Sequence, residues 1–217
     1  MIQVAVCPAG LLQANCYLAW NDETMRGFLV DPGDHPDRLL GFVKEFGVTP
    51  EAILLTHGHF DHIGAAEKLR DTLGIPVYAG ALEQAVLNDP LLNLSGKYTR
   101  RPFTLRADRL LQEGEEFSLA GYTIRVLHTP GHSEGGVCYE VVGERILFSG
   151  DTLFAGSYGR TDGPDGDPEE MFRSLARLFK ELPEEMNVLP GHGPETTIGE
   201  EKEQNPALWE LRGRDLL

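Results

Sequence analysis

At 217 residues, with 41% hydrophobic and 24% charged residues, the chain is long enough for one sizeable core and too short for two full domains. A net charge of -15 argues against a nucleic-acid surface, because phosphate binding needs a basic footprint. No window approaches a membrane-spanning apolar run, and the opening MIQVAVCPAG lacks the basic start of a secretory signal, so the expectation is a cytoplasmic protein with no membrane partner.

In chain order, short apolar runs predict strands at 2–6, 16–20, 28–30 and 52–55. Further strands are expected at 77–79, 122–127, 137–142, 146–148 and 188–189. Turn-forming DPGD at 31–34, TPGH at 129–132 and LPGHGP at 189–194 bound several of them. Amphipathic helices are expected at 36–46, 63–73 and, shorter, 81–87. The clearest helix starts at Asp167, where DPEEMFRSLARLFKEL carries an N-cap aspartate, a proline at the first helical position and acids in the first turn. Its Met171, Phe172, Leu175, Leu178 and Phe179 recur on one face and read as core. Strands and helices alternate without an internal linker, which makes this an α/β chain of one domain, 1–217. Residues 88–104 carry no firm element and read as a lid or substrate loop. Overlapping them, KYTRRPFTLRADR at 97–109 sets five basic residues against one aspartate, a local attractor for an anionic small molecule.

The chemistry concentrates in LLTHGHFDH, residues 54–62. Three of the 7 histidines and one aspartate fall there, directly after an apolar run. In extended chain alternate side chains point the same way, so His57 and His59 can converge on one point. Asp61 and His62 lie where the chain turns toward a helix and can face a second point. The helical HExxH arrangement has a different spacing, so this cluster is borne by a loop. Three more candidates follow predicted strand ends: His132 in HTPGHSEGG, Asp151 in LFSGDTLF and His192 in LPGHGP. Seven nitrogen and oxygen donors suit zinc, iron or manganese. Polar crowding of this kind is costly unless something compensates it. A purely structural zinc site favours four ligands with cysteine, whereas three exclusive ligands per ion leave open positions for water. Cys7, Cys16 and Cys138 are scattered among apolar neighbours and read as small buried hydrophobes. His35 reads as a turn residue, and His128 as structural or as a support for His132.

Together and in this order, THGHFDH, HTPGHSEGG, SGDTLF and PGHGP resemble the metallo-beta-lactamase superfamily over most of the chain. The resemblance implies an αββα four-layer sandwich. It matches His57, His59, Asp61 and His62 to the family's HxHxDH motif, and Asp31 in LVDPG to the aspartate placed behind the site. Asp151 stands where dizinc beta-lactamases carry cysteine, and His59 where flavodiiron proteins carry glutamate. The closest likeness is to the short bacterial members of the glyoxalase II, or hydroxyacylglutathione hydrolase, group, through GRTD at 159–162 and PGHGPETTIGEE at 190–201.

That likeness implies two divalent ions, zinc first with iron or manganese as alternatives. His57, His59 and His132 would hold one, and Asp61, His62 and His192 the other, with Asp151 bridging. A hydroxide shared by the ions would attack an anionic small-molecule thioester, with Asp61 also orienting it. No separate C-terminal glutathione-binding domain is expected; Tyr158 and Arg160 would meet substrate carboxylates instead. The strand edges and the 88–104 segment offer surface for a homodimer. GRTD also resembles the persulfide dioxygenases, which would use a single iron on His57, His132 and Asp151.

Overall fold

A computed structural model describes residues 1–217. Period-two burial builds it. In β2 (Ala14–Asn21), Cys16, Leu18 and Trp20 enter one apolar cluster while Tyr17 and Ala19 enter another. β4 (Thr49–Leu55) divides likewise, with Ile53 and Leu55 on one side and Ala52 and Leu54 on the other. Such strands are apolar on both faces, so each must be covered twice.

The first sheet has the order β1 (Ile2–Ala9), β2, β3 (Arg26–Val30), β4, β5 (Val77–Gly80) and β6 (Arg109–Leu111). β1, β2 and β3 pair antiparallel, and β3 to β6 run parallel. The second sheet has the order β14 (Thr196–Thr197), β13 (Asn187–Pro190), β10 (Ile146–Gly150), β9 (Val137–Val141), β8 (Tyr122–His128) and β7 (Glu116–Leu119). A two-stranded ribbon joins β11 (Leu153–Phe154) to β12 (Ser157–Tyr158).

Three apolar clusters define four layers. Between the sheets lie Phe28, Val30, Leu54, Ile124, Val126, Tyr139 and Phe148. The outer face of the first sheet is covered by α1 (Pro36–Phe46), α2 (Phe60–Ile63) and α3 (Ala66–Leu73), through Leu39, Val43, Ile63 and Leu69. On the second sheet α6 (Pro168–Glu181), α7 (Ile198–Gln204) and α8 (Ala207–Gly213) bury Met171, Leu175, Ile198 and Leu211. Each large side chain so buried contributes about 1.5–3 kcal/mol of transfer free energy. The arrangement is the αββα sandwich.

α6 starts as its sequence dictates: the Asp167 side chain accepts from the amides of Glu169 and Glu170. The helix expected over 63–73 is two helices instead. Gly64 sits at the break because a Cβ there would collide with the carbonyl of Gly33, while Ala65 N–H donates to the Pro32 carbonyl at 2.9 Å. The turn after β3 thereby fixes where α2 ends, and α2 carries Asp61 and His62. The helix expected over 81–87 is α4 (Glu83–Asn88), which starts two residues later and ends one later, and within the unassigned stretch α5 (Ser95–Tyr98) is a single turn. No helix is long and apolar enough to cross a membrane.

Candidate metal centre

Every candidate ligand follows a strand end. β3 and β4 are parallel, so Asp31 and the 56–62 segment leave the first sheet at one edge. β8 and β10 are each antiparallel to β9, and β13 is parallel to β10. The loops carrying His132, Asp151 and His192 therefore share one edge of the second sheet. Hydrogen bonds hold the two edges together: Val137 N–H donates to the Thr56 carbonyl at 2.8 Å, and the Tyr139 hydroxyl to the Leu55 carbonyl at 2.8 Å.

The candidate ligands gather in two groups, His57 with His59 and His132, and Asp61 with His62 and His192, the atoms of each lying within 4.8 Å of one another, and Asp31 makes a third such set with His57 and His62. Asp151 stands between the two groups. Its Oδ2 is 3.4 Å from His132 Nε2 and 3.5 Å from His192 Nε2, and its Oδ1 is 3.4 Å from His62 Nε2. His59 Nδ1 lies 2.9 Å from His132 Nε2, and His192 Nε2 lies 3.3 Å from Asp61 Oδ2.

Neighbours fix which nitrogen of each ring faces inward. The Thr56 hydroxyl donates to Asp31 Oδ2 at 2.6 Å, which leaves its oxygen to accept from His57 Nδ1–H at 3.1 Å. His62 Nδ1–H donates to Asp31 at 3.0 Å, and His132 Nδ1–H to the Arg160 carbonyl at 2.8 Å. Each bond turns an Nε2 lone pair toward the centre. Asp31 also takes the Thr56 amide at 2.8 Å, so its carboxylate is fully occupied behind the site.

Electrostatics follow from burial and charge. Burial, reinforced by the surrounding imidazoles, pushes His57 and His59 well below the usual histidine range. For His62 burial is outweighed by Asp151, Asp61 and Asp31, which raise it to about 10. Asp61 is likewise buried, but His62 and His192 hold it below the usual carboxylate range.

Three buried atoms of the centre have no hydrogen-bond partner: His57 Nε2, His59 Nε2 and Asp151 Oδ1. Buried polar atoms are rarely left so. All three belong to candidate ligands, two in the first group and one on the Asp151 that stands between the groups. Neutral imidazole nitrogens and carboxylate oxygens in open three-residue sets fit divalent metal ions.

A cavity of about 420 Å³ opens over the centre. Asp61, Asp151, His59, His132 and His192 form its floor, and Leu12, Phe60, Leu94, Tyr98 and Phe154 its apolar walls. Tyr158 and Arg160 line it too. Tyr158 is anchored by Phe172, ring centroids 5.5 Å apart, and the Arg160 guanidinium pairs with Asp162 at 2.6 Å. From the basic stretch, Lys97 lies over the Tyr98 ring at 5.0 Å, whereas Arg109 stacks on Tyr78 and Phe117 away from the cavity. His128 faces elsewhere, bonding the Glu134 carbonyl at 2.9 Å, and the His35 side chain is exposed at the start of α1. All three cysteines are buried and free.

Two supports had no sequence signal. The Asn15 side chain donates to the carbonyls of Pro190 and Gly193, each at 2.9 Å, and the Tyr17 hydroxyl donates to Pro190 at 2.7 Å. β2 of one sheet thus pins the His192 loop of the other.

The metallo-beta-lactamase superfamily model matches residues 9–192. The chain belongs to that superfamily. It is 42% identical over 202 residues to the probable metallo-hydrolase YqgX of Bacillus subtilis, covering 93% of this chain and 95% of that one. It is 34% identical over 209 residues to the hydroxyacylglutathione hydrolase GloC of Haemophilus influenzae, covering 95% and 98%. Among solved structures, the B3 metallo-beta-lactamase BLEG-1 superposes with a TM-score of 0.90 at 44% identity, covering 95% and 99%. TTHA1623 in a di-iron-bound form gives a TM-score of 0.83 at 42% identity, covering 93% and 98%. YqgX is named a probable metallo-hydrolase and GloC a hydrolase, and membership of the superfamily supports a metal-dependent hydrolase.

Proposed function

We propose that this chain is a dinuclear metal hydrolase of anionic acyl thioesters, of which S-2-hydroxyacylglutathione is the model substrate. The observation that carries the reading is Asp151, whose two carboxylate oxygens face imidazoles of both ligand groups. His57 Nε2, His59 Nδ1 and His132 Nε2 would hold one ion, and Asp61, His62 Nε2 and His192 Nε2 the other, with Asp151 shared. When bound, such ions supply Lewis acidity and lower the pKa of water to about 7. Zinc suits the donors; the di-iron form of TTHA1623 keeps iron in view.

The chain's own residues do the rest. Asp31, Thr56 and the Arg160 carbonyl keep three imidazoles aimed, so no reorganisation is needed when substrate arrives. The Asp61 carboxylate, on the cavity floor with Oδ2 3.3 Å from His192 Nε2, accepts a hydrogen bond from the attacking water and orients it. Apolar walls exclude bulk water and take the acyl group, while Arg160 meets a substrate carboxylate. A thiolate leaves without a strong acid, because a thiol loses its proton near pH 8.5. Support for thioesters over other acyl groups comes from the likeness to GloC along nearly all of both chains. Three buried free thiols fit a reducing, cytoplasmic setting.

Beta-lactam hydrolysis is the second reading, favoured by the likeness to BLEG-1. A single-iron dioxygenase on His57, His132 and Asp151 leaves the Asp61, His62 and His192 group without a role. A panel separates the three. Thiol release from S-2-hydroxyacylglutathione is expected to exceed cephalosporin opening, with no oxygen uptake on glutathione persulfide. The reverse order, or oxygen uptake with one iron per chain, overturns the proposal. Arg160→Ala should raise KM about tenfold with little change in kcat, the low end for a charged hydrogen bond because the guanidinium is exposed and shared with Asp162. Zinc at 1,000 times its Kd should stabilise the chelator-treated chain by about 4 kcal/mol. For a chain of this size that moves the melting midpoint by roughly 8–16 °C, and calorimetry with and without metal reads it; an unmoved midpoint contradicts the ligand assignment.

A further inference from the structure

Glu83, the first residue of α4, is wholly buried yet belongs to neither ligand group. Its Oε1 accepts from the Gly58 amide at 2.6 Å, the peptide between His57 and His59. Its Oε2 accepts from the Ser133 hydroxyl at 3.2 Å, the residue after His132. The Gly135 amide also lies close enough to favour the ionised carboxylate. The backbone is shaped around this group: a Cβ at 135 would come within 2.6 Å of Oε2, and one at 58 within 3.2 Å of Oε1.

One carboxylate therefore ties the tip of β4 in the first sheet to the β8–β9 loop in the second. Taking a carboxylate out of water costs several kcal/mol unless hydrogen bonds repay it, and burial, helped by the Asp165 charge, holds the Glu83 pKa up at about 8 against those bonds. Every donor that offsets the cost belongs to one of the two loops that carry His57, His59 and His132. The packing of α4 itself runs through Val86 and Leu87 and does not call for an acid.

We propose that Glu83 is a positioning residue that sets the spacing of His57 and His59 against His132, and thereby the ion affinity of that group, without touching an ion. The inference rests on the two-ion reading above, but its readout is ion affinity, so loss of the thioester assignment alone leaves it standing.

The test is a zinc titration of the metal-depleted full chain, followed by imidazole ¹⁵N shifts, which report His57, His59 and His132 separately from His62 and His192. Glu83→Ala should weaken zinc at the first three by 10–100-fold, the usual cost of losing a residue that orients ligands, with the other two changed less than about threefold. Glu83→Gln keeps an oxygen for the Gly58 amide and should recover most of the affinity. If Glu83→Ala does not fold, Ser133→Ala removes one donor with the carboxylate in place and should weaken the same group by about tenfold. Unchanged affinity at His57, His59 and His132 in folded Glu83→Ala, or in Ser133→Ala where that serves as the test, overturns the proposal. So does an equal loss at both groups, which is what a merely structural residue would give.

Discussion

Asp151→Ala is expected to bind at most one ion tightly and to turn over substrate at least about 10³-fold more slowly, the scale at which a group stabilising developing charge is lost. The carboxylate lies 3.4–3.5 Å from His62, His132 and His192, and its Oδ1 accepts no hydrogen bond. Its removal therefore deletes the contact between the ligand groups while breaking little that holds the fold. The metal-free variant should unfold in urea somewhat below the midpoint of the metal-free wild type at neutral pH, because Asp151 is the strongest of the charges that favour the buried His62 imidazolium. Asp151→Asn keeps the shape without the charge and should fail alike. Metal analysis, thiol release and urea unfolding read the three effects. A variant that keeps two ions and wild-type turnover would remove the basis of the dinuclear reading.

How far the sequence reaches depends on where each residue's partner sits. The sandwich strands were legible because alternation within one strand decides which apolar cluster each side chain joins, as Ile53 and Leu54 do. α6 was legible because its cap, proline and apolar stripe are all local. The histidine cluster stood out because crowded polar donors after an apolar run have few other uses, and the fold brings those seven residues into one centre.

The rest depends on distant backbone. Gly64 ends α2 because Gly33, 31 positions earlier in sequence, packs against it, so a pattern search over 63–73 sees one helix. Asn15 and Tyr17 read as ordinary strand residues, since the carbonyls they hold lie more than 170 positions away. Glu83 looks like a solvated acid in a helix's first turn, where acids are common. Nothing nearby announces that Gly58 and Ser133 converge on it. α7 carries a local sign, the Thr197–Glu200 capping box, but no apolar stripe long enough to mark a helix by period. β6, β7 and β14 are of two to four residues, too short for a period to register.

Gly191→Ala is expected to cost about 10²-fold in turnover, what a misplacement of roughly 1 Å at the reacting groups exacts. A Cβ at 191 would lie inside the contact shell of Asp151 Oδ1 and 2.7 Å from His62 Cε1, so the new methyl enters between the two ligand groups. The loop cannot retreat to make room. Gly191 N–H donates to the Gly150 carbonyl at 2.8 Å, the Gly191 carbonyl accepts from Asn15 N–H at 2.7 Å, and the Asn15 and Tyr17 side chains hold both flanks. With the backbone pinned, the ligands yield instead, and overpacking should lower stability by about 1–3 kcal/mol. Gly41→Ala is the control: it lies in exposed α1 with nothing within 4 Å of the added carbon, and should gain about 0.5–1 kcal/mol at unchanged rate. Turnover and ion stoichiometry, measured beside urea unfolding, separate local collision from general destabilisation. If the Gly191 variant kept two ions and the wild-type rate, the close approach of the His192 loop to Asp151 would have no part in holding the site.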